Sequence, residues 1–167
     1  MSINLVDFDN LAFNHKDMLG EGFFGAVYRV TDGKNYDDRF VAKVFHSPKL
    51  LSVLDKLSYG VSFNKEIDAL KYLGPLNISP NVFHVHDSYS VRYYIMESMD
   101  TTLLKILEED YFTREHLEKL NALLDRLVKS KYRHSDLHTN NIMWSDRLND
   151  FRIIDWGMYE ILNHTTD

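Results

Sequence analysis

The chain has 167 residues, 44% of them apolar and 26% charged, with 7 Gly, 3 Pro and a formal net charge of −6. A chain of this size buries one real core, which two small lobes can share, and its composition is that of a globular protein rather than a disordered or collagen-like one. The acidic balance lacks the Lys and Arg cluster that a phosphate backbone requires, so no nucleic-acid partner is expected. No apolar run nears the roughly 20 residues of a bilayer span, and "MSINLVDFDN" has no signal-peptide pattern, so no membrane partner is expected either. The absence of Cys excludes disulfides and thiolate metal sites and suits a cytoplasmic location.

In chain order, "KDMLGEGFFGAVYRVT" (16–31), the turn "DGKNYDD" and "RFVAKVF" predict three antiparallel strands. "SFNKEIDALKYLG" (62–74) predicts a helix with Phe63, Ile67 and Leu70 on one stripe and a glycine suited to its C-terminal cap. "NVFHVHDSYS" and "VRYYIMES" predict two further strands, completing a five-stranded sheet, and "TTLLKILEED" predicts a short helix. "TREHLEKLNALLDRLVKSKY" (113–132) predicts the best helix in the chain, capped by Thr113, with Leu117, Leu120, Leu124, Leu127 and Val128 at helical intervals. Two short strands, "NIMWS" and "FRIIDW", then flank the turn "DRLND".

Several short stretches carry chemistry. In "LGEGFFGAV", Gly20, Gly22 and Gly25 stand before Val27 in a G-x-G-x-x-G-x-V spacing, where missing side chains let backbone N–H groups approach phosphate oxygens. A dinucleotide-binding loop would open into a helix, whereas "AVYRVT" reads as a strand, so a strand–loop–strand lid fits better; a glycine-rich hairpin without a ligand fits the same spacing. Strand alternation places Val41, Lys43 and Phe45 on one face, and an ammonium on a mostly apolar strand needs a partner or a route to water. Glu66 and Asp68 follow in the next helix, separated by a rotation of about 200°; Glu66 shares the stripe of Phe63 and Leu70, so it is the one that faces inward. In "HSDLHTNN", Asp136 can orient and deprotonate a hydroxyl, and Asn141 can offer a carboxamide oxygen to a cation. Asp155 of "IIDWG" ends an apolar strand where a carboxylate can enter a cleft, and two oxygen ligands with a phosphate suit Mg²⁺. Each residue alone has a plainer reading as an Asx turn or a strand-end cap. His84 and His86 alternate on one strand without a third ligand, so they are assigned to packing rather than to zinc.

Taken in order, these motifs resemble the eukaryotic-type protein kinase family over residues 16–157. Gly20, Gly22, Gly25 and Val27 match the glycine-rich loop, Lys43 the strand-three lysine, Glu66 the glutamate of the following helix, "HSDLHTNN" the H-R-D-x-x-x-x-N loop, and "DWG" the D-F-G motif. The resemblance implies an α+β, two-lobed fold in a single domain: a five-stranded antiparallel N-lobe with one helix (about 1–97) and a truncated helical C-lobe (98–167). It implies ATP and Mg²⁺ as cofactors. Leu19, Gly20, Glu21, Gly22, Phe23, Phe24, Gly25 and Val27 would form the lid, and Lys43 would hold phosphates while held by Glu66. Leu19, Val27, Val41 and Met143 would sandwich adenine, Met96 would be the gatekeeper, and Glu97, Ser98 and Met99 the hinge. Asn141 and Asp155 would bind the metal, and Asp136 would accept the proton of a Ser or Thr hydroxyl on a protein substrate.

Departures from the family pattern shape the expectation. Ser135 replaces the usual arginine, so switching by loop phosphorylation is not expected, and His138 replaces the catalytic-loop lysine. "DLH" is also similar to kinases of small molecules, a rival reading. The segment after D-W-G is short, which predicts a homodimer or a partner kinase covering the apolar stripe of the 113–132 helix and keeps a nucleotide-binding regulatory decoy as a further rival. The "DLHTNNIM" loop resembles short kinase-like proteins of large DNA viruses and bacteriophages, which would place the protein in host cytoplasm.

Overall fold

The computed structural model describes residues 7–8, 11–22, 24–31, 33–45, 53–88 and 90–162, with side chains of 53–62 outside the description. Phe23 of the predicted lid therefore lies outside the described residues. The chain divides into two compact units, Met1–Phe63 with Val82–Ser98, and Asn64–Asn81 with Met99–Asp167. Among the described residues no helix is long and apolar enough to cross a membrane.

The first unit is a five-stranded antiparallel sheet of order β1-β2-β3-β5-β4, built from β1 (Met18–Glu21), β2 (Gly25–Thr31), β3 (Tyr36–Phe45), β4 (Val82–Asp87) and β5 (Arg92–Glu97). Alternation along β3 divides the apolar residues between two faces. On one face Phe45 meets Phe63 edge-on at 4.9 Å between centroids and Tyr94 at 6.2 Å. On the other, Val30, Ala42, Tyr93 and Ile95 are buried beneath Phe8, Leu11, Phe13, Phe40 and Val44. The Tyr93 hydroxyl donates to the Phe8 carbonyl at 2.7 Å, tying the segment before β1 to that face. Each large apolar side chain so buried contributes about 1.5–3 kcal/mol, which is why a sheet this small tolerates covering on both sides. His86 stacks on Tyr93 at 4.7 Å, and His84 lies 6.1 Å from the same ring.

The second unit contains the latter half of α1 (Val53–Leu73), α2 (Leu103–Glu108), α3 (Arg114–Ser130), the three-stranded sheet of β6 (Thr101–Thr102), β8 (Ile142–Ser145) and β9 (Asp150–Ile153), and the pair β7 (Tyr132–His134) with β10 (Tyr159–Ile161). Helix α1 begins nine residues before the expected position 62. Gly60 lies inside it, where a glycine costs about 1 kcal/mol relative to alanine and reads in the sequence as a break. Thr113 caps α3 as expected, and His116 completes the box by accepting from the Thr113 N–H at 3.0 Å. The expected stripe of α3 is not its inward face: Leu123 is buried, Leu120 and Leu127 are half-buried, and Leu117, Leu124 and Val128 are exposed. The strands β6, β7 and β10, with two or three residues each, were too short for alternation to reveal.

Candidate active site

In the first unit the β1–β2 hairpin presents the glycines. The Gly22 N–H donates to the Gly25 carbonyl at 2.8 Å, closing the turn. A side chain at Gly25 would put its Cβ 2.2 Å from the Val44 carbonyl oxygen, so this glycine is required by the close approach of β2 to β3. At Gly20 a Cβ would meet nothing within 4 Å, and at Gly22 only the Gly25 carbonyl at 3.9 Å. Neither has a positive φ. Packing and backbone conformation therefore do not call for glycine at these two positions, and the empty space beside them is the dimension in which a ligand can approach the backbone.

Antiparallel register sets Val27 beside Lys43 and Lys43 beside Tyr94, and sets Val41 beside Met96. The Lys43 ammonium lies 5.6 Å from the Phe45 ring centroid. Val41, Met96 and Glu97 are buried, Val27, Lys43, Ser98, Met99 and Met143 half-buried, and Leu19 is 57% exposed. Glu21 is exposed at the end of β1, and Phe24 is half-buried just before β2. The Ser98 N–H donates to the Arg39 carbonyl at 2.9 Å, so this member of the expected hinge spends its donor on the sheet.

In the second unit Glu66 is 1% exposed on α1 among Ile67, Ala69, Leu70 and Leu73, while Asp68 is exposed, as the helical rotation predicts. A carboxylate so enclosed is costly unless partnered.

The loop between β7 and β8 is the best-tethered part of the site. His134, buried at the end of β7, places Nε2 2.9 Å from the Ile154 carbonyl, and its Nδ1 accepts the Asp136 N–H at 3.2 Å. A carbonyl only accepts, so the proton is on Nε2, which frees Nδ1 to receive the Asp136 amide. Asn141, also buried, donates from Nδ2 to the Asp136 carbonyl at 2.9 Å, and its backbone carbonyl accepts from the Ile154 N–H at 2.9 Å. The amide nitrogen is thereby committed, and Oδ1 becomes the end that a hard cation can use. Asp136 itself has both backbone groups held while its side chain is 64% exposed. His138 stands beside both residues, its Nε2 3.1 Å from Asn141 Nδ2 and 3.6 Å from Asp136 Oδ2. Asp155 is exposed in the left-handed region, φ 64° and ψ 60°, at the start of the 156–158 turn. Such a conformation is tolerated by Asp and is often found where function over-determines the backbone. Trp156 behind it is fully buried, donates from Nε1 to the Ile153 carbonyl at 2.8 Å, and meets His134 edge-on at 4.7 Å.

The family model described as Protein kinase domain matches residues 13–167. The chain belongs to the protein kinase domain family. Among solved structures, the co-crystal structure of WbdD and the kinase inhibitor LY294002 is similar with a TM-score of 0.61 and 20% sequence identity, over 87% of this chain and 33% of that one. This chain thus spans about a third of that protein's length, and the likeness concerns the fold. No curated protein matches the chain in sequence. Protein kinase domains carry out kinase-type phosphoryl transfer and generally bind ATP with Mg²⁺. The residues present fit those groups: open space at Gly20 and Gly22 suits phosphate, and the oriented Asn141 carboxamide with the exposed Asp155 is an oxygen donor set of the kind Mg²⁺ takes.

Lys43 and the glycines belong to the first unit, and Glu66, Asp136, Asn141, Met143 and Asp155 to the second. Sequence reasoning missed the double hydrogen bonding of His134. A histidine two residues before an aspartate at a strand end was the available signal, but the partner carbonyl at Ile154 is twenty residues away.

Proposed function

We propose that this protein kinase domain transfers the γ-phosphoryl group of ATP, with Mg²⁺, to a hydroxyl of a protein substrate, with Ser and Thr the residues modified. The observation that carries the reading is the tethering of the 134–141 loop, in which buried side chains fix the backbone on both sides of one exposed carboxylate. A binding module has no need of a carboxylate held in this way. Asp136 orients the acceptor hydroxyl and takes its proton; Asn141 Oδ1 and Asp155 hold the cation; Lys43, supported by Glu66, steadies phosphate oxygens; Gly20 and Gly22 admit phosphates to the backbone. Leu19, Val27, Val41 and Met143 enclose the base, with Met96 behind it and the backbone of Glu97 and Met99 at its edge. When bound, ATP supplies the transferable group and Mg²⁺ neutralises its charge. Positioning of this kind avoids reorganisation at the moment of reaction.

A second reading, phosphoryl transfer to a small hydroxyl compound, is favoured by the D-L-H stretch, whose His138 imidazole lies beside both Asp136 and Asn141. The test is incubation with Mg²⁺ and γ-labelled ATP, with a generic acceptor protein or with small polyols, alongside Asp136→Asn and Asp155→Ala. Label on protein that vanishes in both variants supports the first reading, and label only on a small molecule supports the second. Mg²⁺-dependent nucleotide binding without any transfer would replace both with a regulatory decoy that pairs with another kinase.

A further inference from the structure

Helix α1 presents two faces to two tasks. Glu66 belongs to its buried side, whereas Lys65, Asp68 and Tyr72 follow i, i+3, i+7 spacing along another. Tyr72 lies roughly 120° around the axis from Glu66 at 100° per residue, so a grip on Tyr72 holds the helix without occupying the face of the carboxylate. That grip is aromatic. Tyr72 stacks on Tyr132 of β7, with centroids 5.0 Å apart and planes 20° from parallel, and Tyr132 in turn lies 5.1 Å from Tyr159 of β10. The Lys65 ammonium sits 4.8 Å above the Tyr159 ring. Tyr132 also meets Trp156 at 6.5 Å, and Trp156 meets His134 at 4.7 Å. A continuous row of rings therefore runs from the outer face of α1 to the histidine that receives the Asp136 amide.

We infer that Tyr72 is a positioning residue, whose stacking on Tyr132 fixes the Glu66 segment of α1 to the strand pair that carries the Asp136 loop on one side and follows Asp155 on the other. Burial, with Tyr159, Tyr72 and Asp68 nearby, raises the Tyr132 phenol above its ordinary value, and burial with Asp68 raises Tyr159, so both rings stay neutral across the working pH range. The chain just beyond the end of α1 is fixed separately: Arg152 donates to Asn77 Oδ1 at 3.1 Å and the Ile153 N–H to the Ile78 carbonyl at 2.7 Å. Without the stack the outer face of the segment loses its aromatic anchor, and the segment relies on the burial of Ile67, Leu70 and Leu73 alone. Tyr72 is 51% exposed, an unusual place for a residue with a mechanical role, and this separates the inference from plain core packing.

The experiment is amide hydrogen exchange on the full chain carrying Tyr72→Ala or Tyr72→Phe, with α3 as the internal reference. In Tyr72→Ala the amides of 64–73 exchange about tenfold faster or more while α3 keeps its protection, and Tyr72→Phe, which retains the ring, matches the unsubstituted protein. Unchanged exchange over 64–73 overturns the inference, as does an equal rise across α3, which would signal general destabilisation. A turnover arm rests on the kinase reading: Tyr72→Ala lowers kcat roughly tenfold but causes no further loss in a Glu66→Gln background. Multiplying losses would show that Tyr72 does not act through Glu66. A protein with no transfer activity would count against the kinase reading alone, because the exchange result decides this inference by itself.

Discussion

The β1–β2 hairpin and the loop between β7 and β8 are both turns that carry polar chemistry, yet they are shaped by opposite means. The hairpin is shaped by what is missing: Gly25 because a Cβ would strike the Val44 carbonyl, and Gly20 and Gly22 with open space beside them. The 134–141 loop is shaped by side chains that are present, His134 and Asn141 each spending a ring or amide nitrogen on the Asp136 backbone. Adding atoms therefore damages the first, and deleting hydrogen bonds damages the second. On the proposed reading, the hairpin must adapt to the ligand it covers, whereas the base must stand still.

The contrast can be broken at four places and set beside a fifth that lies outside both turns. Asp136→Asn leaves every backbone tether intact and removes only proton acceptance, so it lowers turnover by about 10²–10⁴-fold with nucleotide affinity unchanged; equal losses in both would show that the carboxylate serves binding instead. His134→Phe keeps an aromatic ring against Trp156 but loses both hydrogen bonds, and the resulting shift of Asp136 costs about 10²-fold in kcat, visible in steady-state kinetics as a fall in kcat at nearly constant KM for ATP. Gly25→Ala forces β2 away from β3 and destabilises the fold by about 1–3 kcal/mol in urea denaturation. Gly20→Ala, with room for its methyl group, stays within about 0.5 kcal/mol and weakens nucleotide binding instead. The smallest effect belongs to the start of β3, where the Arg39 guanidinium beside Asp37 holds that carboxyl below its usual value of 3.8. A depressed folded-state value contributes stability above the unfolded value and loses it as pH falls through the folded one. Asp37→Asn therefore lowers the denaturation midpoint slightly at neutral pH, and the difference disappears in strong acid.

The sheet and the site were legible in the sequence to different depths. Alternation in "RFVAKVF" and "VRYYIMES" is long enough to reveal strands and faces, and the burial of Glu66 rather than Asp68 follows from helical rotation alone. The loop residues were recognised as a set, but not their mutual hydrogen bonds, because the Ile154 carbonyl that fixes His134 reaches the loop only through the fold. On α3 the leucines are frequent enough to suggest two stripes, and the one containing Leu123 is decided by packing on β9. The pairing of β7 with β10 joins strands of three residues each, below the length at which a period can be read.

The covering of the sheet by Phe8, Leu11 and Phe13 sets a practical boundary. A version trimmed to the family match at residue 13 would discard Phe8 and Leu11, together with the carbonyl that receives the Tyr93 hydroxyl. It would bare an oily patch over Val30, Ala42 and Ile95 and invite precipitation. Recombinant production should keep Phe8 and Leu11 as part of the folding unit, even though the family match begins after them.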